Sequence, residues 1–375
     1  MEFLPEPFRT IVSFAVVLGV LIFVHELGHY LAARWRGVHV ERFSIGFGRA
    51  IAQWVDKRGC EWRIGWIPLG GYVKMHGMEQ AGEAEPDPAS YRPGEAFHEK
   101  SVGDRAIVVF AGPFFNFVLA ALLFAAIFAT AGRPVQNPVE RPEDQMVVGR
   151  VVPHSPAAEA GLRAGDRILA LDGTPMQQFA DLQHYIEARP GQPVSMLVRR
   201  GDQELTVTPT PLARADDGRG RIGVQGGGTI QRERLDPISA LAAGTWHMVV
   251  VSGQTLSGVW QMISGQRGAD EIGGPLRIAQ MSGEVADMGI LPLITFIALL
   301  SINLALINLF PIPVLDGGHL VLYAAEALRG RPLPLRAQEY AFRGGFALLV
   351  TLMLLATWND LTQLGVVRWV ASLVG

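Results

Sequence analysis

Four apolar stretches limit this chain more than any other feature. Residues 10–33, 106–131, 290–315 and 341–358 can each cross a bilayer as a helix, the last with a span of about 18 residues. Hydrocarbon offers backbone groups no partners, so stretches of this kind are expected to be helical. The chain has 375 residues, 49% of them hydrophobic and 18% charged, with a mean hydropathy of +0.24. It is too apolar for an ordinary soluble protein and too charged to lie in the membrane throughout, so spans combined with a water-soluble domain are expected. The net charge of −3 argues against nucleic acid as a partner. The single Cys60 excludes an intrachain disulfide framework. MEFLPEPFRT lacks the basic opening of a signal peptide, and the first apolar run is expected to be retained as a span.

Basic residues near the span ends set the expected orientation. Arg34, Arg36, Arg42 and Arg49 follow the first span, and Lys100 and Arg105 precede the second. Arg329, Arg331, Arg336 and Arg343 lie between the third and fourth. Both basic segments belong on the cytoplasmic side, which places the termini and residues 132–289 outside the cytoplasm. Residues 238–263 are interrupted by Gly, Ser, Gln and His; they read as an amphipathic helix on or against the membrane, with a fifth span as the alternative. The acidic, proline-bearing stretch 79–95 reads as a mobile loop.

The outer segment holds one globular module. VVGRVVPHSPAAEAGLRAGDRILALDGTPM (147–176) alternates like a strand, places Ser-Pro before a short helix ending at Gly161, then turns into another strand. Residues 178–188 read as a helix, and 194–208 as a strand pair around Arg200-Gly201-Asp202. The run GLRAGDRIL resembles a PDZ domain of the bacterial, strand-permuted kind. Such domains bind an extended peptide by adding it to a sheet edge.

The first apolar run does not end in solvent but continues into LIFVHELGHYLAARW (21–35). Ionisable groups at membrane depth are costly and mark function by default. Positions four apart share a helix face, so His25 and His29 can grip one ion, with Glu26 beside them to take a proton from the water that ion activates. The bland alternative is a helix end whose polar residues merely reach the interface. A hydrolytic zinc site needs a third protein ligand and one open position. The third apolar stretch ends in NLFPIPVLDGGHL (308–320), which brings Asp316 to the same depth and side. Pro311 and Pro313 break the helix there, and Gly317-Gly318 permit a sharp turn. Non-helical backbone at that depth marks a cavity. Asp316 also reads as a cap of the following helix, but the coincidence of depth and side favours ligation. His319, one turn further on, reads as structural or as a support for Asp316. His76, His98, His154, His184 and His247 lack partners at ligand spacing.

HELGH in the first span, GPFFN (112–116) in the second and NLFPIPVLDGG in the third, together with FSIGFG (43–48) and PLGGYVKM (68–75), resemble the site-2 protease family of intramembrane zinc metalloproteases, bacterial RseP type. The resemblance covers nearly the whole chain, with one departure: the segment 132–236 has room for a single PDZ domain, with strand remnants such as RIGV (221–224), where the best-known members carry two. It implies zinc held by His25, His29 and Asp316, Glu26 as the general base, and substrate held near Asn308, Asn116, Pro311, Gly70 and Gly71. Asn116 reads equally as an interhelical hydrogen bond. Asn303, Asn308 and Asn116 are candidates for a water route. CEWRIGWIPLGGYVKM (60–75) alternates like a strand, and the resemblance implies a hairpin dipping into the membrane to hold an unwound substrate by backbone bonding; a plain cytoplasmic hairpin is the alternative.

The expected architecture is a polytopic α-helical membrane protein of about four spans, with a membrane-associated β-hairpin and an inserted extracytoplasmic PDZ α/β domain. Its divisions fall at 1–131 (two spans and the hairpin), 132–228 (PDZ), 229–289 (amphipathic linker) and 290–375 (two spans with Asp316). The expected partners are the lipid bilayer, membrane-spanning substrates such as pre-trimmed anti-sigma factors or remnant signal peptides, and a peptide at the PDZ domain. The expected place is the bacterial inner membrane, with the site towards the cytoplasm. Two rival readings are a transporter with a broken-helix path and a catalytically inactive PDZ scaffold. The scaffold is disfavoured because Glu26 and all three candidate ligands are present.

Overall fold

The computed structural model describes residues 6–78, 91–136, 146–152, 155–176, 179–213, 218–226, 230–266, 268 and 273–363. Most of the 79–95 loop and His154 lie outside them. The chain divides into two compact units, Met1–Thr130 with Leu235–Gly375, and Ala131–Arg234.

The first unit opens with α1 (Glu6–Trp35), which carries the apolar run and HELGH as one continuous helix. Two long strands follow, β1 (Val40–Val55) and β2 (Glu61–Met75). Both bend, so residues 40–47 pair with 71–75 on one side and with 61–64 on the other, while 50–55 pair with 61–65. The result is four strand segments in the order 50–55, 61–65, 40–47, 71–75, with 71–75 at an edge that no other described strand covers. Phe43 stacks on Trp62, and Tyr30 of α1 meets both rings edge-on where this sheet meets the helix. Next comes α2 (Val102–Thr130), whose entry is fixed by Ser101: its hydroxyl accepts from the Asp104 N–H at 3.1 Å and donates to the Asp104 carboxylate at 2.6 Å.

The second unit is built from β3 (Arg133–Gln136), β4 (Val148–Val151), α3 (Pro156–Glu159), β5 (Arg167–Leu171), β6 (Thr174–Pro175), α4 (Phe179–Glu187), β7 (Met196–Arg200), β8 (Gln203–Val207), β9 (Leu212–Ala213), β10 (Gly220–Arg221), β11 (Val224–Gly226) and β12 (Ile230–Glu233). Ser155 caps α3 and Pro156 opens it, as the Ser-Pro signal predicts. The sheet order is β6-β5-β7-β8, with β11 on β4 and β12 on β3. Val148, Ile168, Leu171, Leu182, Met196 and Val198 fill its core. Asp166 of the GDRIL run is buried and accepts two Arg200 hydrogen bonds, both at 2.7 Å. RIGV contributes to β10 and β11 of this one module. An apolar groove of about 460 Å³ lies between α4 and residues 220–224.

The chain then returns to the first unit through α5 (Pro237–Ile263), α6 (Pro275–Asp287), α7 (Ile290–Leu309), α8 (Asp316–Arg329) and α9 (Leu335–Gln363). Four helices among the described residues are long and apolar enough to cross a membrane: Phe8–Trp35, Val102–Thr130, Ile290–Leu309 and Arg336–Gln363. The third stops at Leu309, short of the expected 315. A residue before proline avoids the helical region, and Phe310, preceding Pro311, is extended at φ −64°, ψ 145°. The helix α5 is not among the four. It packs along α2, with His247 edge-on to Phe124 and Phe128 at 4.6 and 5.6 Å between ring centroids. Ion pairs join the start of one helix to the end of another: Arg9 of α1 to Asp287 of α6, Asp104 of α2 to Arg36 just after α1, and Arg105 of α2 to Glu326 of α8.

Candidate active site

Two helices must approach closely for the site to exist. Gly28 of α1 lies against the Ala111 carbonyl of α2, and a β-carbon on Gly28 would overlap it. At that crossing the imidazoles of His25 and His29 lie directly on Gly112, the residue before Pro113. Small residues permit such backbone contact between membrane helices.

Asp316 arrives from the opposite side. Beyond Leu309 the chain turns through Pro311 and Pro313, and α8 starts at Asp316 with Leu315 as its cap and no side-chain capping bond. Asp316 therefore does not cap its helix through its carboxylate. Gly317 and Gly318 lie against the carbonyls of Leu309, Phe310 and Ile312, which leaves no space for side chains in this turn. Val314 sits at φ 133°, a conformation that a β-branched residue rarely adopts and that costs about 1–3 kcal/mol. That strain lies two residues from Asp316.

His25 Nε2 and His29 Nε2 are 3.2 Å apart, and Asp316 Oδ2 lies 3.2 Å from the first and 3.5 Å from the second. The backbone carbonyl of Val108 accepts from His29 Nδ1 at 2.9 Å, which fixes the tautomer and turns the Nε2 lone pair inward. His25 Nδ1 faces the amide of Asn116 at 3.3 Å, with Asn116 Nδ2 nearest and its Oδ1 buried without a partner. The two ends of an amide are interchangeable; placing Oδ1 on His25 Nδ1–H satisfies both groups. Ser301 of α7 donates to the Asn116 backbone carbonyl at 2.8 Å. Asp316 Oδ2 is buried with no hydrogen-bond donor.

With both imidazoles in these tautomers, three acceptor atoms converge and favour a cation between them. Two imidazoles and one carboxylate on three corners suit zinc with a fourth position open. His25, His29 and Asp316 form the only such group of metal-binding side chains among the described residues. Glu26 opens into the same cleft, of about 260 Å³, facing the backbone of Val73.

Residues 13–352 match the model of peptidase family M50. The chain belongs to this family, the site-2 proteases. A relative in Agrobacterium fabrum, provisionally named a zinc metalloprotease, is 42% identical over 94% of this chain and 96% of its own length. Metalloprotease MmpA of Caulobacter vibrioides is 38% identical over 97% of this chain and 98% of its own length. The PDZ domain of an SdrC-like protein from Listeria monocytogenes is 27% identical over 23% of this chain and 92% of that one, with a TM-score of 0.21. The chain is a zinc metalloprotease with helices suited to a membrane.

The M50 peptidase brings some of its sequence-predicted site residues into the cleft and not others. Asn308 and Gly71 line the cleft, as do Tyr72, Met78 and Phe97, which sequence reasoning missed. Gly71 lies directly over α1: a β-carbon there would stand 2.6 Å from Ile22 Cγ2 and 3.2 Å from Glu26 Cγ. Gly70, at φ 96°, faces the Phe47 ring. Pro311 is exposed on the turn. Asn116 is fully buried behind His25, on the side away from the cleft's open face. Asn303 lies within hydrogen-bond distance of Thr255 on α5, at 3.4 Å. His76 is buried and bonded to Glu41 and to the Arg92 N–H. The contribution of Gly112 was hidden inside GPFFN; a Gly-Pro pair within an apolar helix is the signal that pointed to it.

Proposed function

We propose that this M50 peptidase cuts peptide bonds within membrane-spanning segments, at the cleft between residues 71–75 and Asp316. The observation that carries the proposal is three potential metal-ligand atoms, from His25, His29 and Asp316, gathered within 4.8 Å of one another beside Glu26. Zinc held by these three residues would supply Lewis acidity to the scissile carbonyl and lower the pKa of the attacking water.

The remaining chemistry belongs to the protein. Glu26 takes the proton from the attacking water as its oxygen bonds to the scissile carbon, then gives that proton to the nitrogen as the C–N bond breaks. Val108 and Asn116 hold the imidazoles in the tautomers that ligation needs. The edge at 71–75, which no other described strand covers, offers an extended substrate backbone the partners it lost on unwinding, by strand addition. Gly71 keeps this edge in contact with Glu26, so a strand bound there runs past the base.

The cleft lies nearer the helix ends that carry Arg36, Asp104 and Arg105, which the arginine distribution assigns to the cytoplasm. The groove beside α4 in the second unit has the form of a PDZ peptide site, and we assign it to an extended polypeptide outside the cytoplasm. Membrane proteins already trimmed by another protease, anti-sigma factors and signal-peptide remnants among them, are the substrate class that fits. The experiment is cleavage of a transmembrane peptide by purified wild type and Glu26→Gln, with zinc content measured on both. Wild type is expected to cleave and Glu26→Gln to retain zinc without turnover; equal cleavage by the two rejects Glu26 as base.

A further inference from the structure

The cleft contains three polar side chains that the reaction set out above does not use, Tyr72, Asn308 and His319. His319 stands one turn after Asp316 on α8 and lines the same cavity as Glu26 and Asn308. Among the described residues its ring makes no hydrogen bond to protein, and its nitrogens are not sealed from the cavity. The ring is held by packing alone. Phe342 lies 5.2 Å from it and Tyr323 6.3 Å, between centroids. Tyr323 is itself buried beneath Arg105, whose guanidinium stands 4.9 Å over the ring and pairs with Glu326 at 2.7 Å. An imidazole oriented by its neighbours, with its polar edge left to a reaction cleft, is a donor awaiting an acceptor.

Peptide hydrolysis supplies that acceptor. As water adds to the scissile carbon, its carbonyl oxygen takes up negative charge. A preplaced N–H aimed at that charge lowers the barrier more than it strengthens ground-state binding. Glu26 cannot serve, because its proton is committed to the departing nitrogen. We infer that His319 is a catalytic residue that donates an N–H to the scissile carbonyl oxygen as it becomes tetrahedral. The inference rests on the proposal that peptide bonds are cut in this cleft.

The test uses the full chain in detergent with a transmembrane peptide substrate, comparing wild type, His319→Phe, His319→Gln and Glu26→Gln. His319→Phe keeps a ring against Tyr323 and Phe342 but has no donor; His319→Gln keeps a donor. The expected result is zinc content and KM as in wild type, with kcat of His319→Phe down roughly 100-fold, and partial recovery in His319→Gln. A phosphinic peptide that mimics the tetrahedral anion should bind His319→Phe more weakly by the same factor as kcat/KM falls. A hydroxamate, which addresses the metal alone, should bind both equally. Wild-type kcat in His319→Phe, zinc loss that accounts for the fall, or no advantage of Gln over Phe would overturn the inference and leave the cleft's assignment standing. Failure of wild type itself to cleave, or cleavage by Glu26→Gln, overturns the assignment of the cleft and the role of His319 with it.

Discussion

Gly112 and His29 touch: a β-carbon on Gly112 would overlap His29 Nε2 and stand 2.9 Å from His25 Cε1. Every side chain larger than hydrogen at this position of α2 therefore displaces the ligand pair of α1. Gly112→Ala is predicted to lower zinc affinity by at least the roughly 10–100-fold typical of a lost supporting contact, with helix content unchanged. Zinc titration against a competing chelator checks this, and wild-type affinity in the variant would show that the helices can separate at no cost.

Asn116 supports the site from behind. Its amide is the partner of His25 Nδ1 and its backbone carbonyl accepts from Ser301. Asn116→Ala is predicted to weaken zinc binding by about 10–100-fold, while KM for substrate stays constant because the residue does not reach the cleft's open face. A rise in KM with full zinc retention would instead place Asn116 against substrate.

Val314 offers a trade of strain for order. Val314→Gly removes the cost of its positive φ, so thermal stability should hold or rise by about 1 kcal/mol. Glycine also loosens the turn that aims Asp316, so kcat/KM should fall. The prediction is stability and activity moving in opposite directions, read from thermal melts and cleavage rates on one preparation.

The edge at 71–75 is tested by size. Gly71→Val would press on Ile22 and Glu26 and lift the strand from α1. Turnover should fall by more than tenfold with zinc retained, since none of the three ligands is touched. Loss of zinc in this variant would mean that the strand supports the metal site and not the substrate.

In the second unit, burial raises the Asp166 carboxyl, but the paired Arg200 and the Arg163 N–H outweigh it and hold it below the usual aspartate value. A carboxylate depressed in the folded state contributes stability that is present above its unfolded pKa and is lost as pH falls through the folded one. Melts of residues 131–234 produced alone are predicted to be level above the ordinary aspartate range and to drop below it, with the slope reduced in Asp166→Asn.

The four long apolar helices, HELGH and Asp316 were legible because long apolar runs stand out in a sequence and make every ionisable exception conspicuous. The second unit was legible from its turns: Asp172-Gly173, both at positive φ, join β5 to β6 as the LDG signal implies. The two-sided pairing of residues 40–47 was not, because alternation marks a strand without saying how many neighbours it has. Nor was the route of α5 along α2, since an interrupted apolar helix carries no sign of what covers it. Val314 gives no signal at all: its strain is imposed by the prolines around it and by the turn into α8.

The central claim is that His25 and His29 of one span share a zinc ion with Asp316 beyond another. X-ray absorption at the zinc edge, on wild type and Asp316→Ala loaded with one equivalent of zinc, tests it most directly. The account predicts one tightly held zinc with two imidazole nitrogens and a carboxylate oxygen at about 2.0–2.2 Å, and loss of that oxygen with weakened binding in the variant. An unchanged spectrum and unchanged affinity in Asp316→Ala would contradict it.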